Sequence, residues 1–568
     1  MNRNIIKLLL LITTTVCAQD DSKSHSFGFI SDSPLKSFQK AAVVSNVPEC
    51  ADIGLDFLKN KNGSAVDAAI AVLICEGVAS PISLGIGGGF LMTIYDASNG
   101  EAVFLNAKEI APGLANATMF RGNASLSFAG GLAIAVPGEV MGYWEAHKRF
   151  GRIPWKDLFE PSIELCENGV ISNDYNDLRL KFVEKEIKAE PSLSEFLIDP
   201  KTNELYVKGD KIKRLKLGKT LRKLADASQP VDLFYRGELT KHFVADIKKR
   251  GGIITEEDFV NYKVKWTVPH RAQIDNMTIY TSPPSGSGVL LTFMLKVLKG
   301  LVPAENDKIL WQRFLETFKF AYAKRAELAD PDFVNLDEVM ANLTSQAYID
   351  RVISLIKKGK TSEDPKYYGA ATFTKNDAGT AHISILAPDG SAVSVTSTIN
   401  QDFGSQVRSR STGVIFNDQM DDFGNPGITN VYSVPPSPKN FIQAYKRPLS
   451  STSPTIVVNQ NGEVIFVIGS SGGTKIPTTI ANVMSLYFWN DYNLKEAVDA
   501  YRLHHQLFPM YIHSEPDFPE DILDYLRKLG HKNRINDILG TAVTAIAREN
   551  EVIVANADYR RGGAAVGF

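Results

Sequence analysis

Between residues 380 and 400 polar and apolar positions alternate: His382, Ser384, Ser391 and Ser394 are set among Ile383, Ile385, Val393 and Val395. A period of two predicts a pair of strands. Ala387-Pro388-Asp389-Gly390 lies between them. Proline presets the first dihedral of a turn, aspartate bonds its own backbone and glycine accepts a positive φ, so the strands fold back as a hairpin. A loop of two or three residues sets Thr380 opposite Ser397 or Thr398. Cβ atoms of facing residues are about 5 Å apart, which puts a second hydroxyl beside the first. FLMTIYD (90 to 96) and VMSLYFW (483 to 489) read as core. Along the whole chain such apolar strands alternate with amphipathic helical segments, an α/β pattern.

With 568 residues the chain is long enough for several domains, yet no Pro/Ser-rich linker or charge block divides it. One large unit is expected. A net charge of -2, with 44% hydrophobic and 22% charged residues, gives no basis for nucleic acid or an anionic membrane surface as partner. Neither heptads, solenoid repeats nor a CxxC metal pattern are present, and the histidines have no metal spacing, so no cofactor is expected. GIGGGF (85 to 90) has neither GxGxxG spacing nor the lysine and hydroxyl of a phosphate loop; it reads as close backbone packing. His382 reads as structural.

Arg3 and Lys7 border the apolar stretch Leu8 to Val16, and Val16-Cys17-Ala18 fits the small-residue rule for signal peptidase. Residues 1–18 are expected to be removed. The apolar run is shorter than the roughly 20 residues of a span, so a secreted, extracellular protein without a stable membrane anchor is expected. Three cysteines then remain, Cys50, Cys75 and Cys166, an odd number in an oxidising compartment. Sequons at Asn62, Asn116, Asn123, Asn276 and Asn342 offer glycosylation sites.

Past the hairpin the chain reads Thr398-Ile399-Asn400-Gln401-Asp402-Phe403-Gly404-Ser405, then GVIFNDQMDDF (413 to 423), PLSSTSPTIV and GSSGGTKIP. This run resembles the small subunit of the gamma-glutamyltranspeptidase (glutathione hydrolase) family, which belongs to the N-terminal-nucleophile hydrolases. The resemblance extends through GSAVDAAIA (63 to 71), SLGIGGGFL (83 to 91), AVPGEVMGY (135 to 143), SPPSGSGVL (282 to 290), AELADPDF (326 to 333) and the ending RRGGAAVGF. It implies a four-layer αββα sandwich built from one autoprocessed chain, with a large subunit of 19–379 and a small subunit of 380–568. It also implies a disulfide between Cys50 and Cys75, which leaves Cys166 as a buried thiol.

Amide carbonyls resist attack, so the implied chemistry needs an activated nucleophile, a base, an oxyanion site and a pocket for the acyl group. A threonine hydroxyl is a weak nucleophile. A free α-amine titrates near pH 7.7 to 8.0 and suits base work near neutrality. Cleavage of Gly379-Thr380 supplies both on one residue. The resemblance makes Thr398 the second threonine, bonded to the nucleophile, and gives Gly472 and Gly473 the oxyanion amides. Asn400, Gln419 and Asp422 are similar to the residues that take the donor's α-ammonium; Ser450 and Ser451 to those that take its α-carboxylate. Gln419 stands where some members carry glutamate. Lys108 stands where the family usually carries an arginine, and lysine keeps the charge but loses the bidentate fork. The implied partners are glutathione and other γ-glutamyl compounds, amino acid or dipeptide acceptors, and the other subunit. A catalytically impaired binding protein is the alternative that Lys108 raises; an acylase for another amide, such as a glutaryl group, fits Asp422 and Asn400 less well. Val431-Tyr432-Ser433-Val434-Pro435 stands where some members carry a lid.

Overall fold

In the computed structural model, residues 31–374, 379–426, 435–535 and 540–568 are described. The expected leader (1–18) and most of the expected lid (431–434) lie outside them.

The hairpin forms as its alternation predicts. Strands Ala381–Leu386 and Ala392–Thr398 pair with Ala381 opposite Ser397 and Leu386 opposite Ala392. Ala387 and Ser391 close a three-residue loop at 2.8 Å, with Gly390 at φ 85° where a side chain would be strained. Continuing this register by one residue places Thr380 opposite Thr398.

Seven strands form the sheet around this hairpin, in the spatial order Ala564–Gly567, Ala42–Ser45, Ala381–Leu386, Ala392–Thr398, Gly89–Asp96, Glu101–Ala107, Lys265–Thr267. A second seven-stranded sheet runs Lys36–Phe38, Val552–Ala557, Ala542–Glu549, Val464–Ser471, Thr455–Val458, Met277–Thr281, His270–Ile274. Each sheet mixes strands from before and after residue 379, so neither side of the expected cut holds a complete sheet. The two sheets face each other across a shared layer that includes Val44, Leu386, Ile456, Val467 and Ile546. Helices Pro48–Lys59, Ala65–Ala79 and Glu139–Phe150 pack on the outside of the first sheet. Gly288–Lys299, Asp307–Arg325 and Ile476–Trp489 cover the second. The result is the αββα sandwich.

Local sequence explains the layers. Helix Ala65–Ala79 opens on a capping box, Ser64 with Asp67, and is apolar all round; it is buried on every face between the first sheet and its neighbouring helices. Cys50 and Cys75 are disulfide-bonded, tying this helix to Pro48–Lys59, and Cys166 is a buried thiol whose pKa burial pushes up to about 12. GIGGGF is a packing element: a Cβ at Gly87 would fall 2.0 Å from the Ile415 carbonyl oxygen, and one at Gly88 would fall 2.2 Å from that of Thr398. Among the described residues no helix is long and apolar enough to cross a membrane. Asn62, Asn116, Asn123 and Asn276 are exposed and Asn342 is half-buried.

The polar members of the hairpin's alternation face the other sheet. Ser384 Oγ donates to the Thr544 carbonyl at 2.9 Å and Ser394 Oγ to the Ile468 carbonyl at 3.0 Å. His382 Nδ1 lies 2.7 Å from Thr396 Oγ1, and burial holds its imidazole neutral, with a pKa down to about 3. His382 is structural, as expected.

Glu139, fully buried under the first sheet, accepts from Tyr143 Oη at 2.6 Å and from Ser397 Oγ at 2.9 Å. Burial pushes its pKa to about 8. Such an acid keeps its proton in the folded chain while the unfolded chain loses it, so its contribution to stability falls as pH rises from 4.5 to about 8 and then levels off. Glu139→Gln, which accepts the same two hydrogen bonds without titrating, is expected to flatten this dependence by roughly 4 kcal/mol. Denaturant midpoints at pH 5 and pH 8 check it; parallel shifts of both proteins would contradict it.

Candidate active site

Thr380 lies at the edge of the inter-sheet layer, nearly fully buried, with φ 96°. A β-branched residue is a genuine outlier there, at a cost of order 1–3 kcal/mol. Gly379 precedes it at φ 69° and is crowded by the Asn400 backbone: a Cβ at 379 would meet the Asn400 carbonyl oxygen at 1.5 Å. Only glycine fits before the threonine.

The Gly379 carbonyl accepts from the Gly472 N–H at 3.2 Å. Gly472 and Gly473, at φ 121° and 61°, turn the chain from strand Val464–Ser471 toward helix Ile476–Trp489. Both the conformation and the space require glycine at 472, since a Cβ there would meet Thr541 Cα at 2.9 Å. A strand-to-helix turn of this kind points backbone N–H groups outward at the positive end of a helix.

Thr398, which ends its strand, accepts the Asn400 N–H on its Oγ1 at 2.8 Å. Asn400, at φ 76°, donates through Nδ2 to the Asp418 carbonyl at 3.3 Å. The 3-10 turn Gln419–Asp422 follows Asp418 at once. Gln419 Nε2 donates to Asp422 Oδ2, which leaves the buried Gln419 Oε1 without a hydrogen-bond partner among the described residues. Burial, reinforced by Asp421 and Asp422, pushes the Asp418 carboxyl well above the usual carboxylate range.

Lys108 is a buried cation, only 1% exposed, at the end of strand Glu101–Ala107. Its Nζ lies 3.3 Å from Glu109 Oε2, a distance of charge attraction whose geometry falls short of a hydrogen bond. Glu109 is fully buried too, and burial raises its pKa against the pull of Lys108. A Cβ at Gly89, the strand partner of Thr398, would approach the Glu109 carboxyl carbon at 3.0 Å, which sets this pair next to Thr398. Among the described residues Lys108 Nζ and both Glu109 carboxyl oxygens are buried without a hydrogen-bond partner, which marks a place arranged to receive something polar.

Ser450 and Ser451 lie on the segment leading into strand Thr455–Val458. Ser450 N–H donates to the Ser285 carbonyl at 2.8 Å, and its Oγ lies 3.1 Å from Thr452 Oγ1. Ser451 Oγ accepts from Arg325 Nη2 at 2.8 Å. Arg325 is a donor only, so the Ser451 proton is directed elsewhere. Among the described residues no three His, Cys, Asp or Glu side chains gather as metal ligands.

Four residues here carry no distinguishing signal in the sequence. Glu109 and Asp418 are charges next to residues already singled out, Glu139 sits in AVPGEVMGY, and Arg561 sits in the terminal RRGG. Arg561 donates to the Thr380 carbonyl and to Ser83 Oγ. Only the fold brings a residue so near the chain's end to residue 380.

The family model described as gamma-glutamyltranspeptidase matches residues 50–568. Scoloptoxin SSD14 from Scolopendra dehaani is 44% identical over 93% of this chain and 92% of its own length. Glutathione hydrolase proenzyme 1 of Schizosaccharomyces pombe is 37% identical, covering 93% of this chain and 85% of its own. Among solved structures, cephalosporin acylase from Bacillus halodurans has the same fold, with a TM-score of 0.82 at 23% identity over 96% of this chain and 99% of that one. A chain of the gamma-glutamyltranspeptidase from Pseudomonas nitroreducens, complexed with L-DON, is 32% identical with a TM-score of 0.51, covering 56% of this chain and 95% of that chain. By the family model and by relatives above 30% identity along more than nine-tenths of its length, the chain belongs to the gamma-glutamyltranspeptidase family.

Proposed function

We propose that this protein is a gamma-glutamyltranspeptidase and glutathione hydrolase that cuts its own chain before Thr380 and carries the γ-glutamyl group on that residue. The observation that carries the reading is the Gly472 N–H on the Gly379 carbonyl at 3.2 Å. That carbonyl belongs to the peptide bond the Thr380 hydroxyl would attack, so the donor faces the oxygen on which negative charge would grow.

In the maturation step the Thr380 Oγ bonds to the Gly379 carbonyl carbon, the peptide C–N bond breaks, and the nitrogen becomes the free α-amine while an ester holds the two parts together. Water hydrolyses the ester. The φ angle of Thr380 involves the carbonyl carbon of residue 379, so its strain ends with the cut. The products are 19–379 and 380–568, interleaved in both sheets.

In turnover the α-amine accepts the Thr380 hydroxyl proton as Oγ attacks the γ-carbonyl of glutathione or a related donor. Thr398 holds the nucleophile, and the Gly472 and Gly473 amides take the oxyanion. The proton passes to the departing amine and leaves the γ-glutamyl ester. Water then yields glutamate; an amino acid or dipeptide amine yields a new γ-glutamyl product. The donor's ammonium is met by Asn400, the Gln419 Oε1 and Asp422, and its carboxylate by Lys108, Ser450 and Ser451. The leader-like pattern of residues 1–18 and four exposed sequons support a secreted glycoprotein.

The purified protein is expected as two chains, the smaller beginning at Thr380 by N-terminal sequencing, and Thr380→Ala as a single chain. A wild type that stays in one piece would overturn the reading. Lys108→Met, which removes the charge at similar volume, is expected to raise KM for a γ-glutamyl donor about 10- to 100-fold with a smaller effect on kcat. Steady-state kinetics with the donor varied check this; an unchanged KM would remove Lys108 from the carboxylate site.

A further inference from the structure

We infer that Arg561 sets the proton affinity of the Thr380 α-amine: its guanidinium, clamped on the Thr380 carbonyl, keeps the mature amine neutral and able to accept a proton. The inference rests on the reading of Thr380 as the nucleophile and base.

Arg561 lies in the 3-10 turn Tyr559–Arg561, just before the last strand, and is only 5% exposed. One guanidinium nitrogen donates to the Thr380 carbonyl and the other to Ser83 Oγ. The group also lies over the Tyr175 ring, 4.5 Å from its centre. Ser83 is itself fixed to the site, since its carbonyl accepts the Ile399 N–H at 3.0 Å, one residue after Thr398. The cation is thus held from two elements against the backbone of the residue whose amine must act as base. The carbonyl it grips stays on Thr380 after the cut, so the contact belongs to the mature enzyme as well.

A fixed positive charge next to an amine disfavours its protonated form and lowers its pKa. Whether Arg561 can do this depends on the charges around it. Glu76, from helix Ala65–Ala79, faces it; this carboxyl accepts from Ser45 Oγ and from the Asn46 N–H, and burial raises its pKa, which weakens its power to cancel the guanidinium. Asp402 faces it from the loop after Asn400, and that carboxylate is already paired with Arg179 of helix Asp174–Phe182. Arg560, next in sequence, is engaged by Glu515 and Asp558. Near Thr398 and Asn400, Lys108 is set beside Glu109 at 3.3 Å, and burial pushes the Asp418 carboxyl well above the usual carboxylate range, which weakens its pull on the guanidinium. Asp422 is the carboxylate on the ammonium side of the pocket, and Lys475 follows the Gly472–Gly473 turn. Arg561 is bonded directly to the Thr380 carbonyl.

Two variants separate charge from hydrogen bonding. Arg561→Lys keeps the charge; Arg561→Gln keeps donors for the carbonyl and loses it. The readout is the acid limb of kcat/KM against pH for a chromogenic γ-glutamyl anilide, which reports the base of the free enzyme. Rates are measured on the cleaved fraction, counted by the acyl-enzyme burst. The limb of Arg561→Gln is expected to rise by about one pH unit, while that of Arg561→Lys stays close to wild type. Limbs unmoved in both variants, or moved equally, would overturn the proposal. Should Arg561→Gln remain uncut, Ser83→Ala takes its place: it frees one end of the guanidinium, and the limb is expected to rise by about half a unit, an unmoved limb again overturning the proposal. A wild type without γ-glutamyl turnover would instead overturn the function itself, so the two failures are distinguishable.

Discussion

The contact on which this structure turns is between two backbone groups, the Gly472 N–H and the Gly379 carbonyl. They come from opposite sheets, one from the turn after Val464–Ser471 and the other from the entry into Ala381–Leu386. Their meeting requires the sheets to lie face to face at a fixed spacing and a glycine at each end where no Cβ fits. The polar layer between the sheets maintains that spacing. Ser384 bonds Thr544, Ser394 bonds Ile468, and Thr455 N–H bonds Ser394 Oγ at 2.8 Å, so each tie crosses from one sheet to the other. A wholly apolar layer would bury as well but would be less specific in register, because hydrogen bonds have directions and apolar contacts do not.

Strain and burial concentrate on the same few residues. Thr380 and Asn400 both hold positive φ. Lys108, Glu109 and Asp418 are charged or acidic side chains nearly removed from solvent. Each is costly for the fold alone, and costs of this kind gather where a site is preorganised. On the proposed reading the strain at Thr380 is discharged by the cut that creates its amine, and the buried Lys108 is matched by the substrate's carboxylate. The interleaving of strands from both sides of residue 379 in each sheet would hold the two products of such a cut together, since separating them would dismantle both sheets.

Much of this was legible in the sequence, and the reason differs from residue to residue. The hairpin was readable because period-two alternation and Pro-Asp-Gly turn chemistry are local signals, and together they bring Thr380 and Thr398 into register. The close approach of GIGGGF was readable because glycines in a row have few other uses in a core. The side on which Ser384, Ser394 and His382 face was not readable. Alternation ordinarily separates core from solvent, and here both faces are buried, so the polar set became an inter-sheet network. Arg561 was illegible for a different reason: its role depends on a strand order that sets the chain's last strand two places from the hairpin, and no local pattern encodes that. Glu109 and Glu139 were likewise ordinary charges until the fold buried them.

Whether Thr380 carries the acyl group is read by mass spectrometry of the small chain acid-quenched during turnover of a γ-glutamyl donor. The small chain is expected to be heavier by one γ-glutamyl group, with the added mass on the N-terminal peptide that begins at Thr380 and lost on standing in water. Added mass on any other peptide, or a burst of product with no added mass on the small chain, would contradict it.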